Sequence, residues 1–313
     1  MAYLRFFFTH PRVLSFGVLL TLFSSFGQTF LISIFVPQLL ETFNLTTAQF
    51  GVLYASATLL SASSLAYFGR LIDRITLRTF SLSVGVGLVM ACLILSLAPN
   101  VPLLFLGILG LRLTGQGLLS LTASTTMARV FDEGRGKALS ISGLGYPLGE
   151  GLLPVAVVLL IHAVGWRWSW GILAAVIALL LLPAMASLLR RVEPFHQREI
   201  AQHRTARPRT PLLRDRRFYL LLPGSLYLPL VLTALWAEVY GVASIGATKG
   251  MVATFGILAT AIGPVLLGGL LAVGVTFTTV VPACALAAVA IALLSLVTRR
   301  SLILPTQGSP RPL

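Results

Sequence analysis

The chain has 313 residues and a formal net charge of +14, yet only 10% of its residues are charged, 57% are hydrophobic and the mean hydropathy is +0.93. A soluble domain carries roughly a quarter charged residues, so this chain cannot cover a water-facing surface, and a soluble enzyme or soluble binding module is excluded. No basic face interleaved with aromatics accompanies the positive balance, which excludes nucleic acid as a partner and leaves the lipid bilayer.

A bilayer span needs about 20 mostly apolar residues. Nine runs meet that need, near 13–36, 50–68, 80–98, 101–124, 138–161, 169–189, 218–236, 251–272 and 275–297. They are continuously apolar rather than alternating, which predicts helices and not barrel strands. Arg5 and Arg12 precede the first run. That run is too long for a signal-peptide core and has no small-residue cleavage site, so it is predicted as a first transmembrane helix. It carries Ser24, Ser25, Gln28, Thr29 and Ser33. Gln28, and Tyr54 in the second run, are candidates to hydrogen-bond a solute. The competing reading is packing, because polar side chains in membrane helices commonly bond a neighbouring helix.

Between the second and third runs stands Gly69-Arg70-Leu71-Ile72-Asp73-Arg74-Ile75-Thr76-Leu77-Arg78. Such a charged turn must sit at a membrane face. Arg112 falls near the middle of the fourth run, where a charge costs about 2.5–3.5 kcal/mol even on a lenient insertion scale. Glu150 falls in the middle of the fifth run, at a similar depth counted from the opposite side. An Arg112–Glu150 ion pair is therefore expected, each charge offsetting the desolvation of the other. Its alternatives are a proton-responsive or anion-binding role and a structural one. Gly145, Gly149 and Gly151 predict close helix packing, and Gly165-Trp166-Arg167-Trp168 joins the fifth and sixth runs. Cys92 and Cys284 lie inside apolar runs and predict neither a disulfide nor a metal site; no cofactor is implied.

Charge also orients the chain. Before the seventh run, Arg5, Arg12, the charged turn, the Arg129–Lys137 turn and the Arg190–Arg217 segment hold 17 basic residues on one side, and the other side holds only Arg167. By the positive-inside rule this places the N-terminus in the cytoplasm. The predicted organisation is a six-helix bundle over 1–189, a basic cytoplasmic linker over 190–217, a partial bundle over 218–298 and a tail over 299–313. Arg135-Gly136-Lys137-Ala138 opens the fifth run and Thr248-Lys249-Gly250-Met251 a later one, and Gly136–Gly149 is matched in spacing by Gly250–Gly263. Repeated halves are common in transporters.

Gly69-x-x-x-Asp73-Arg74 with the later Arg78, between the second and third spans, resembles the signature loop of the major facilitator superfamily. Arg112-x-x-Gly115-Gln116-Gly117 resembles that family's fourth-helix motif, associated with proton coupling, with Gln116 one place later than usual. Gly165-Trp166-Arg167-Trp168 is similar to its fifth-to-sixth loop. The resemblance implies an all-α polytopic membrane fold with a six-helix N-terminal bundle, and a loop carrying Gly69, Asp73, Arg74 and Arg78 that latches the two halves, its acid near the start of helix eleven. It also implies that 249–272 and 275–297 correspond to helices eleven and twelve, and 218–235 to helix seven. About three helices, the eighth to the tenth, are then missing. Nine crossings would leave Arg299, Arg300 and Arg311 outside, unless 218–248 forms a hairpin broken at Pro223, Gly224 and Pro229.

The function implied is secondary active transport of a small solute by alternating access, with proton coupling, in a multi-pass protein of the cell membrane. Arg112, Glu150, Gln116, Gln28 and Tyr54 are the candidates for the solute or proton path. The alternative is a transport-inactive remnant of the family, acting as a membrane sensor or assembly partner, since a cavity between two bundles needs both walls. An enzyme is not expected: no His-Glu-x-x-His, Gly-x-Ser-x-Gly or phosphate-binding loop occurs in the sequence.

Overall fold

The computed structural model describes residues 2–131 and 134–190, with Leu286, Val289 and Ala290. Apart from those three helical positions, the expected second bundle, the tail, the repeat at Gly250–Gly263 and nearly all of the linker lie outside the described residues.

Every regular element among the described residues is a helix. These are α1 (Ala2–Thr9), α2 (Pro11–Ser24), a 3₁₀ turn (Ser25–Gly27), α3 (Thr29–Phe43), α4 (Thr47–Leu71), α5 (Leu77–Leu97) and α6 (Val101–Gly110). A π-wound segment (Leu111–Leu119) follows, then α7 (Ser120–Val130), α8 (Arg135–Gly143), α9 (Gly145–Val176) and a π turn (Ile177–Leu181). The helix ends follow local chemistry. Asn44 closes α3 in the left-handed conformation at φ 50°, which Asn tolerates better than most residues. Thr46 and Gln49 cap α4 reciprocally. Thr76, at the turn position where the superfamily loop usually has Gly, accepts from the Thr79 N–H as the N-cap of α5. Asn100 does the same for α6, with Pro102 in the first turn.

Five stretches are long and apolar enough to cross a membrane: Pro11–Phe43, Thr47–Leu71, Leu77–Leu97, Val101–Val130 and Arg135–Arg190. The last has 56 residues, far more than one crossing needs at about 1.5 Å per residue. It is interrupted at Gly165, with φ 77° and ψ 164°, a conformation essentially reserved for glycine. The neighbours on either side show that the chain turns back there. Gly145 lies against Val18 and Thr21 and Gly149 against Leu22 and Ser25, so the first arm runs parallel to α2. Ser96 donates to the Arg167 carbonyl oxygen and Gly85 meets Leu182 and Met185, so the second arm runs antiparallel to α5. The described residues therefore make six crossings, as the six runs before the linker predict.

Two features depart from those runs. The first span is not continuous: Gln28 is extended, at φ −78° and ψ 152°, and separates α2 from α3. A separate α1 precedes it, with Phe6 packed on Phe131 and on His10 at ring distances of 5.3 and 5.5 Å. Lipid tails are as apolar as leucine, so helices associate in a membrane through close packing and hydrogen bonds rather than through the hydrophobic effect. The bundle accordingly brings backbones into contact at small residues. The Thr21 hydroxyl reaches the Ser142 carbonyl oxygen at 2.5 Å beside Gly145, which fulfils the close packing expected of Gly145 and Gly149; Gly151 departs from it, with nothing within 4 Å of an added Cβ.

Candidate functional site

The break in the first span faces the π-wound part of the fourth. A Cβ on Gly115 would stand 2.7 Å from the Gly27 nitrogen and 2.9 Å from its Cα, and one on Gly27 would strike the Leu111 carbonyl oxygen and the Gln116 nitrogen. Only a glycine pair allows two backbones to meet this way. A π-wound stretch widens the helix and often marks a functional site. Here it carries Arg112 and Gln116 on the segment that holds Gly115.

Arg112 is 1% exposed. Its Nη1 donates to the Gly27 carbonyl oxygen and to the Thr29 hydroxyl, both at 3.3 Å. Its guanidinium carbon sits 5.1 Å from the centre of the Tyr54 ring, within cation–π range. The Tyr54 hydroxyl donates to the Thr29 hydroxyl at 2.9 Å, tying ring and cation to the start of α3. Arg112 Nε, Gln116 Oε1 and, in the 3₁₀ turn of the break, Ser25 Oγ are buried without a hydrogen-bond partner. Thr29 is exposed, and Gln28, Tyr54 and Gln116 are half-buried. Arg112 and Tyr54 thus meet at Thr29, while Gln28 and Gln116 flank the contact between Gly27 and Gly115 in the chain.

Glu150 does not join them. It is exposed, and among the described residues the ion pair formed is a different one, Asp73 with Arg129. The expected Arg112–Glu150 pair is therefore absent, for a geometric reason. Gly149 faces the first span at Leu22 and Ser25, and the next residue of an α-helix is rotated by about 100°, which turns Glu150 away.

The signature loop forms a second centre at the basic end of the bundle. Gly69 is buried in the last turn of α4, Asp73 follows it, and Arg74 and Arg78 are exposed. The Asp73 carboxylate accepts from Arg129 Nη2, and Arg129 Nη1 reaches the Ile72 carbonyl oxygen at 3.5 Å. Arg129 is itself 1% exposed. Its neighbour Arg135 donates from Nε to the Ala128 carbonyl oxygen at 3.0 Å, where a cation suits the C-terminal end of α7. The expected contact of Asp73 with helix eleven lies outside the described residues. At the opposite end, Arg167 Nη1 donates to the carbonyl oxygens of Ala98 at 2.6 Å and Ser96 at 3.4 Å. Its cation lies 4.4 Å from the Trp166 ring, and Trp166 Nε1 donates to the Thr42 hydroxyl at 3.2 Å.

Comparison with known families decides the class. Residues 18–306 match the family model of the Major Facilitator Superfamily. The chain belongs to the Major Facilitator Superfamily. It is a membrane transporter of the major facilitator type, with the multi-pass all-α fold that its sequence predicts. A search of the curated proteins found no significant match.

Two residues of this superfamily member were not expected as site residues, Arg129 and Thr29. Arg129 counts in the sequence as one more topological charge. The signal that distinguishes it is its phase: Thr122 and Thr126 precede it at helical spacing, and all three are buried, so the polar face of α7 points inward as far as Arg129.

Proposed function

We propose that the chain carries a small solute across the cell membrane by secondary active transport, the N-terminus cytoplasmic and the centre around Arg112 open alternately to each side. Proton coupling belongs to this reading through the resemblance of Arg112-x-x-Gly115-Gln116-Gly117 to the proton-coupling motif. One observation carries it. A cation at membrane depth is expensive, and this one is buried at a broken helix beside unpartnered polar atoms, with no ion-pair partner among the described residues. Discontinuous membrane helices are a common setting for transport sites. The signature loop with Gly69, Asp73, Arg74 and Arg78 is proposed as the cytoplasmic latch, Arg129 holding its acid in place.

The test is flux. Purified full-length protein in proteoliposomes, loaded with a pH-sensitive dye, is offered a panel of small solutes under an imposed proton gradient. Transport predicts a solute-dependent pH change that is lost in Arg112→Gln. Absence of flux for every solute, from protein that remains folded, contradicts it. A second reading is favoured by the three predicted spans after residue 217 where the superfamily has six: a transport-inactive remnant serving as sensor or assembly partner. A compartment-sensitive reporter after Leu313 separates the two. A cytoplasmic signal keeps an even number of crossings and the transporter arrangement, and an external one supports the remnant.

A further inference from the structure

We infer that the break in the first span and Arg112 together form a seat for a small planar oxyanion, in its common biological form a carboxylate. This deepens the transport reading by assigning the class of solute. It rests on that reading for turnover, though not for binding.

The first argument is charge. The chain has nine acids. Asp132 and Glu133 lie in the turn before the fifth predicted run, Glu193, Glu199 and Asp215 in the predicted linker, and Glu238 just beyond the seventh predicted run. Asp73 is held by Arg129, and Glu41 is exposed in the last turn of α3. Glu150 alone falls inside a predicted run, and it is turned away. Among the described residues no carboxylate reaches Arg112, so within them its positive charge is uncompensated where desolvation makes one expensive.

The second argument is the shape of the donors. Nη1 is spent on Gly27 and Thr29, whereas Nε is buried and unpartnered. Arginine recognises carboxylates through two parallel N–H donors, and its rigid fork fits a planar oxyanion better than a spherical ion. Gln116 follows four residues along the same segment, its Oε1 buried and unpartnered, and turning over its amide end puts the NH2 donor in the place of that oxygen.

The third is the broken helix itself. α3 has 15 residues and starts at Thr29 with no side-chain cap from Gln28. Its first N–H groups are open and its dipole is positive at that end, which makes a helix start a natural anion site. The helix end and Arg112 are joined through the Thr29 hydroxyl, so both act on one place, and the exposed Thr29 connects it with the surface.

Equilibrium binding tests this without requiring transport. The intact chain in detergent is titrated by calorimetry with acetate, nitrate, chloride and glucose at constant ionic strength. The expected result is saturable binding of acetate, at least tenfold tighter than chloride, and none of glucose. Acetate binding is expected to fall at least tenfold in Arg112→Lys, which keeps the charge and loses the fork, and to persist in Gly151→Ala, a control at an open surface position. Chloride binding equal to acetate, or no anion binding to the wild type, overturns the seat; nitrate binding without acetate keeps the oxyanion seat and overturns its assignment to carboxylates. The wild-type titration decides even if the Arg112 variant does not fold. Acetate binding without flux sinks the transport reading and leaves the seat standing. Flux of a neutral or cationic solute without anion binding does the reverse.

Discussion

Arg129 binds Asp73 across the basic end of the bundle, joining the end of the fourth span to the turn between the second and third. The side chain of Arg129 is fully buried and that of Asp73 nearly so. Removing one partner of such a pair leaves an uncompensated buried charge and costs about 3–5 kcal/mol. Asp73→Ala should therefore lower the thermal unfolding midpoint in detergent by several degrees. The exchange Asp73→Arg with Arg129→Asp should recover part of that loss, and a double variant no better than the single ones would count against the pair.

The meeting of Gly27 and Gly115 makes a sharper prediction. A methyl group at either position drives into the backbone of the other span, and overpacking of this kind costs about 1–3 kcal/mol or more. Gly27→Ala and Gly115→Ala should both reduce stability and abolish flux. Gly151→Ala, with nothing within 4 Å of the new methyl, should leave both unchanged. Equal tolerance at all three positions would refute the close contact.

Tyr54 contributes a ring to Arg112 and a hydroxyl to Thr29, and the two parts can be separated. Tyr54→Phe keeps the cation–π contact and loses one hydrogen bond, a change of about 0.5–1.5 kcal/mol. Tyr54→Leu loses both, adding about 0.5–2 kcal/mol for the ring. Transport should fall in the order wild type, Phe, Leu. A Phe variant as impaired as Leu would assign the whole effect to the hydroxyl.

The hairpin between the fifth and sixth crossings depends on Gly165 and Arg167. Gly165→Ala places a Cβ where the backbone strain is about 1–3 kcal/mol. Arg167→Ala removes the donor to two carbonyl oxygens at the end of α5. Both variants should insert into the membrane and show lowered unfolding midpoints. An unchanged midpoint for Gly165→Ala would mean that the turn is not formed as described.

Much of this architecture is legible in the residues. Apolar runs of bilayer length give the six crossings, because length and hydropathy are all that a membrane asks of a span. Asp73 and Arg112 stand out because charge is scarce and costly there. What composition and depth do not give is rotation about the helix axis. Glu150 and Arg112 are well matched in depth, yet one residue of offset from Gly149 turns Glu150 to the exposed surface. The break at Ser25–Gln28 was hidden for a different reason. Ser, Phe, Gly and Gln are all tolerated in membrane helices, and the chain opens there because Gly27 meets Gly115, a tertiary contact that a single run does not encode. Arg129 is concealed by its neighbours, since a basic residue at a turn on the basic side is already explained by topology.

The most direct test of alternating access at the Arg112 centre is two-sided labelling of Thr29→Cys, in a background where Cys92 and Cys284 are replaced by Ala. A membrane-impermeant thiol reagent is applied from either face of oriented vesicles, with and without acetate. Modification is expected from both faces, with a shift in the ratio of the two rates when acetate is present. Reaction from one face only, or from neither, with ratios indifferent to acetate, would contradict alternating access.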